Sequence, residues 1–138
     1  MNHFTPIDPA KSGWNPSHLA YIQDLHWSTY ESDSRLRLTA LLQPPPEAGK
    51  GWPQDRGLWF RAVIEFHGVR NLRMADLGRG PWQIMGFAVD DLRDRGLEGI
   101  SYHVYDYEDS RLEFHAREMT LISHESDHGE FLHFRNRK

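Results

Sequence analysis

Leu58-Trp59-Phe60-Arg61-Ala62-Val63-Ile64-Glu65-Phe66 is the stretch on which the fold class turns. Positions 58, 60, 62, 64 and 66 are all apolar, and their neighbours include Arg61 and Glu65. A period of two is that of a strand with one buried face and one partly wet face. Beyond Gly68 the apolar parity moves to Val69, then to Leu72 and Met74. One extra residue flips every later side chain, so a bulge or tight turn is expected at Gly68.

Upstream, Leu36, Leu38, Ala40 and Leu42 alternate with Arg35, Arg37 and Thr39, which predicts a second half-buried strand after a turn at Ser32-Asp33-Ser34. The segment before it carries two signals. Leu19, Ile22 and Leu25 recur at helical spacing with Ser17 placed to cap them, whereas Tyr21, Ile22, Trp27, Thr29 and Tyr30 favour extended backbone. The expectation is a strand over 21–30. Residues 43–57 hold Pro44, Pro45, Pro46, Gly49, Gly51, Pro53 and Gly57, and prolines that remove donors and fix φ make this a loop. Trp52 in its middle either docks back on the core or waits for a partner.

Downstream, Gly78, Gly80 and Pro81 break the chain, and an apolar stretch from Trp82 to Val89 ends in Asp90 and Asp91. A short helical turn through Leu92 and Arg95, stopped by Gly96, is expected next. The following hairpin has a register that can be derived. Tyr102 and Val104 must share a face with Leu112, Phe114 and Ala116, so paired residue numbers must sum to an even value. A three-residue loop of Glu108, Asp109 and Ser110 satisfies this and sets Val104 opposite Phe114 and His103 opposite His115; a two-residue loop would bury Glu113. The apolar phase slips between Ala116 and Met119, with no Gly or Asn to make a tight turn. One long strand bulged at Arg117-Glu118 is therefore predicted. Residues 125–138 read as a polar tail, and residues 1–16 as an irregular leader.

At 138 residues the chain has the length of a single domain. It holds no apolar run of membrane-spanning length. Sixteen Lys and Arg against 20 Asp and Glu give a net charge of −4, so no global basic field is available to hold nucleic acid. The basic residues are dispersed, with Arg70, Arg73 and Arg79 in one stretch and Arg135, Arg137 and Lys138 at the end. Absence of cysteine removes disulfides, thiolate nucleophiles and Cys-based metal sites. The first residues lack a basic start and an apolar segment, which points to a soluble, cytoplasmic protein.

No catalytic motif appears. There is no G-x-S-x-G elbow, and Leu77-Gly78-Arg79-Gly80-Pro81 lacks the Lys-Ser/Thr ending of a P-loop. Nine histidines pose the question of a metal. His103 and His115 across the hairpin, with His67 and Glu113 nearby in a folded sheet, would suit a borderline ion such as zinc. No cofactor is otherwise called for. The ingredients of a protein interface are better represented, with acidic residues at Asp90 and Asp91, a hairpin tip bearing Asp106, Glu108 and Asp109, and Trp52 as an anchor.

Three patterns carry a resemblance: Val63-x-x-Phe66-x-x-Val69 with Leu72, then Ile84-x-Gly86-Phe87 with Asp90, then Tyr102-x-Val104-x-Asp106 followed by Leu112-x-Phe114. Across about half the chain they resemble small β-rich bacterial proteins of the toxin-immunity type. In those proteins a strand-rich domain with an aspartate-bearing hairpin, encoded beside a toxin, blocks it. The resemblance implies a compact β-rich fold and no catalytic residues. The expectation is one α+β domain, a mostly antiparallel twisted sheet of six to eight strands with one or two short helices. Its expected function is non-enzymatic binding of a protein partner, a toxin in the immunity reading, as a monomer or homodimer. A small metal- or ligand-binding enzyme built on His67, His103, His115 and Glu113 is the alternative.

Overall fold

The structure is a computed structural model that describes residues 16–30, 33–44, 51–53, 57–75, 82–84, 86–108 and 110–127. Among them lie nine strands, β1 (Leu19–Tyr30), β2 (Asp33–Leu42), β3 (Trp59–His67), β4 (Arg70–Met74), β5 (Trp82–Gln83), β6 (Phe87–Asp91), β7 (Tyr102–Asp106), β8 (Leu112–Ala116) and β9 (Glu118–Asp127). They form two antiparallel sheets, one ordered β5-β1-β2-β3-β9 and the other β4-β8-β7-β6. The α+β expectation is corrected. Among the described residues strand takes up 67% and helix 7%, and no helix reaches seven residues. The helical elements among the described residues are single 3-10 turns, Pro16–His18 and Arg93–Arg95, the second closed by Gly96 in the left-handed region at φ 70°.

The helix-like spacing in β1 has a specific cause. Leu19, Ile22 and Leu25 pair with Leu42, Ala40 and Leu38, and the ladder shifts register between Leu19 and Tyr21 and again between Ile22 and Asp24. Each bulge adds one residue, so inward positions recur every third residue instead of every second. The strand imitates a helical stripe while remaining extended.

The two sheets pack face to face. One core takes Leu36, Leu38, Ala40, Ile64 and Phe66 from the first sheet and Val104, Leu112, Phe114 and Ala116 from the second. Phe66 meets Phe114 edge-on, with ring centroids 4.9 Å apart and planes at 76°. A second, smaller cluster lies on the outward side of the five-stranded sheet, where Ala20, Tyr21, Leu41 and the fully buried Trp59 pack together under a half-buried Trp52. Trp52 has docked, and its Nε1 donates to the Gln43 carbonyl at 2.9 Å.

The chain passes between sheets at two adjacent corners. β3 pairs with β9 as far as His67 and Glu118, and β4 pairs with β8 from Arg70 and His115. The ribbon is therefore one long antiparallel pair bent over the core, with Gly68 and Arg117 at the bend. Gly68 has φ +66°, as the parity change requires, and a Cβ there would lie 2.9 Å from Arg117 Cβ. The predicted bulge at Arg117-Glu118 is instead a change of sheet. Glu125 to Asp127, assigned to the tail, are the end of β9, and residues 128–138 lie outside the described residues, as do residues 1–15 of the leader.

Candidate functional site

The derived hairpin register holds. Tyr102 pairs with Ala116, His103 with His115, Val104 with Phe114 and Tyr105 with Glu113. Tyr102 and Val104 face the core, so His103 and Tyr105 stand on the outward face of the four-stranded sheet beside Glu113 and His115. β6 adds Asp90, which is paired with His103, and β4 adds Arg73, which is paired with Glu113. One row of side chains thus crosses all four strands. Arg73 bonds Glu113 Oε1, Glu113 Oε2 lies 2.7 Å from His103 Nε2, and His103 Nδ1 lies 3.9 Å from Asp90 Oδ2. Tyr105 donates its hydroxyl to the same Asp90 oxygen at 3.1 Å.

The rings of this face are stacked. His103 lies 4.6 Å from His115 and 4.5 Å from Tyr105, at interplanar angles of 15° and 25°. Asn71, held in the left-handed region at φ 58°, brings its amide nitrogen 3.2 Å from His115 Nδ1. These contacts displace the titrations. The His103 contact, aided by Arg73 and opposed by burial, holds the Glu113 carboxyl below its usual range. The bond to Asp90 raises the Tyr105 phenol. Burial, reinforced by the neighbouring His103, lowers the His115 imidazole.

The four candidate metal ligands do not converge. His103, His115 and Glu113 share this face, but His67 follows Phe66 in β3 and points to the outward side of the other sheet. There it is buried in a different network, with Nε2 2.8 Å from Glu65 Oε1 and Nδ1 3.5 Å from Asp33 Oδ2. Arg37 grips Glu65 Oε2 through Nε at 3.0 Å and Nη2 at 2.6 Å, and Arg35 Nε reaches Asp33 at 3.1 Å. The Gly68 amide donates to Asp33 Oδ1 at 3.2 Å, which fastens the network to the bend. Among the described residues no group of three or more His, Asp or Glu is arranged to hold a metal ion.

The acidic candidates separate as well. Asp90 and Asp91 are consecutive in a strand and point to opposite sides. Asp91 pairs with core-facing Tyr102 and is clamped by Arg93, whose guanidinium also lies over the Tyr102 ring. That clamp holds the Asp91 carboxyl below its ordinary value. Asp106 is not part of an exposed tip. It is 2% exposed and accepts the Arg111 amide at 3.0 Å, so it closes the hairpin turn. Glu108 is exposed at that turn, and Asp109 lies outside the described residues. Trp52 belongs to the outward cluster around Trp59, on the other sheet from Asp90.

Sequence reasoning passed over Tyr105, Arg73 and Asn71 on the site face, and Asp33, Glu65 and Arg37 around His67. Tyr105 and Glu113 were accessible, because the same even sum that pairs Val104 with Phe114 pairs them too. Arg73 was not, since the β4–β8 ladder shifts register between Arg70 and Arg73. No helix among the described residues is long and apolar enough to cross a membrane. No protein-family model, curated protein or solved structure matches the chain significantly.

Proposed function

We propose that this chain is a non-enzymatic, cytoplasmic protein-binding domain of the immunity type, which occludes a partner toxin with the outward face of its four-stranded sheet. The observation that supports this reading is the row from Arg73 through Glu113 and His103 to Asp90. It spreads charged and aromatic groups from four strands over a half-exposed sheet surface. Catalysis needs groups that converge on one substrate atom away from water. Recognition of a protein needs a broad, preorganised surface with aromatic anchors and oriented charge, which strands hold more rigidly than loops. Tyr105, His103 and the more exposed Tyr107 supply the rings.

The test uses tagged protein and lysate of the native host, with two variants. His103→Ala/Glu113→Ala alters the proposed face, and Arg61→Ala/Glu125→Ala breaks an exposed ion pair on the other sheet. The expected result is one stoichiometric partner, retained by the second variant and lost by the first, whose toxicity is suppressed by co-expression of this chain. Absence of a partner at every salt concentration, or equal loss with both variants, overturns the reading.

A further inference from the structure

We infer that the notch over Ala88 on this face, closed at one end by Asp90, receives an arginine side chain from a basic protein partner. The inference rests on the proposal that the four-stranded face binds a protein, and it names the chemistry of that protein.

The notch follows from register. Along β6 and the residue before it, Gly86, Ala88 and Asp90 stand opposite Tyr107, Tyr105 and His103, with Tyr107 N donating to the Gly86 carbonyl at 2.9 Å. All six positions share the outward parity. One side therefore carries a row of three rings, and the other carries no side chain, then a methyl, then a carboxylate. Glu108 and Tyr107 fill the space over Gly86, since a Cβ there would sit 2.7 Å from Glu108 Cγ and 2.9 Å from the Tyr107 ring. By register Ala88 is then the low point of this row, a slot with Tyr105 beside it, Tyr107 and Glu108 at one end, and at the other Asp90, whose Oδ2 takes the Tyr105 hydroxyl.

Charge selects the occupant. The row across the sheet runs cation, carboxylate, imidazole, carboxylate, and it ends on β6 at a carboxylate. Both Asp90 contacts use Oδ2, and the side chain that also carries Oδ1 is 52% exposed. The adjacent cation, Arg93, is committed to Asp91 on the other side of the strand through Nε and Nη2. A partner cation would complete the alternation. Arginine suits the slot better than lysine, because its aliphatic stem can lie on Ala88 while a planar guanidinium stacks by the rings and meets a carboxylate edge-on. The net charge of −4 favours approach of a basic partner.

The experiment is a titration of the isotope-labelled protein with a tri-arginine peptide, followed by amide and side-chain NMR shifts, with the uncharged tri-citrulline peptide as control. Saturable shifts centred on Ala88, Asp90 and Tyr105, absent with citrulline and reduced by added salt, are expected. Asp90→Asn keeps the shape and removes the charge, and Ala88→Leu keeps the charge and fills the slot. Asp90→Asn is expected to weaken binding by about twofold to fivefold, within the range of an exposed ion pair, and Ala88→Leu by at least about twofold through loss of the slot, with the remaining spectrum unchanged in each. Shifts centred elsewhere, or an affinity in both variants equal to that of the parent chain, overturn the inference. If the lysate partner still requires His103 and Glu113 while the peptide ignores Asp90, the binding face stands and its arginine specificity falls.

Discussion

The backbone amide of Arg117 donates to the carbonyl of His67 at 2.8 Å, and this bond joins the two corners at which the chain leaves one sheet for the other. Gly68, next to His67, must hold φ +66° with Arg117 Cβ against it. Gly68→Ala adds left-handed strain and a contact that backbone would have to relieve, so it should destabilise by about 2 kcal/mol. Urea unfolding checks this. The midpoint should fall with the slope unchanged, and an unaltered midpoint would show that the bend tolerates a side chain.

Asp106 and Glu108 lie two residues apart at one hairpin end and should behave differently. Asp106 is buried and takes the Arg111 amide, whereas Glu108 is exposed. Loss of a buried acceptor leaves a donor unsatisfied and costs about 1–3 kcal/mol. Asp106→Ala should therefore lower the melting temperature while Glu108→Ala leaves it within error. Equal effects would place the turn's stability elsewhere.

The sequence was most legible where alternation was uninterrupted. In β2, and in β7 with β8, every second residue reports its face, and the even-sum rule placed His103 opposite His115 without coordinates. Legibility failed where a bulge or corner changed the count. Two bulges gave β1 a helical period, and the passage at Arg117 passed for a bulge because both shift parity by one. The second apolar cluster was hidden by treating the odd positions of β3 as wet. Tyr21, Leu41 and Trp59 occupy the outward parity on three neighbouring strands, and a Trp in a Pro-rich loop was available to cover them. Asp106 was misplaced for a related reason: acidity suggested solvent, although its even number put it on the core side with Val104.

The His67 network makes stability depend on acid. Asp33 loses hydration on burial, but bonds from Arg35, His67 and the Gly68 amide outweigh this and hold its carboxyl below the ordinary value. A depressed folded-state pKa contributes stability that is present above the unfolded value of about 4 and is lost as pH falls through the folded one. Glu113 and Asp91 act with the same sign. Asp33→Asn should thus lower stability at pH 7 more than at pH 3, which flattens the acid limb of the stability curve. Denaturant unfolding across that range measures it, and an acid limb as steep as in the parent chain would remove Asp33 from the account.

Trp59 and Trp52 belong to one apolar cluster with unequal burial, and the difference sets their expected costs. Trp59 is fully enclosed between Tyr21, whose ring centroid is 5.9 Å away, and its other neighbours on the outward face. Trp59→Ala leaves a large cavity and should cost about 3–5 kcal/mol. Trp52 is half-buried and lies on that cluster from outside, so Trp52→Ala should cost about 1–2 kcal/mol, from lost apolar area and the bond to Gln43. Its second effect is diagnostic. Removing the cover exposes Trp59, so with Trp14, Trp27 and Trp82 replaced by Phe the emission remaining in Trp52→Ala should shift to the red and become more accessible to iodide. If stability falls while the emission of Trp59 stays that of a buried indole, the cluster is closed without Trp52, and the docked loop contributes its hydrogen bond alone.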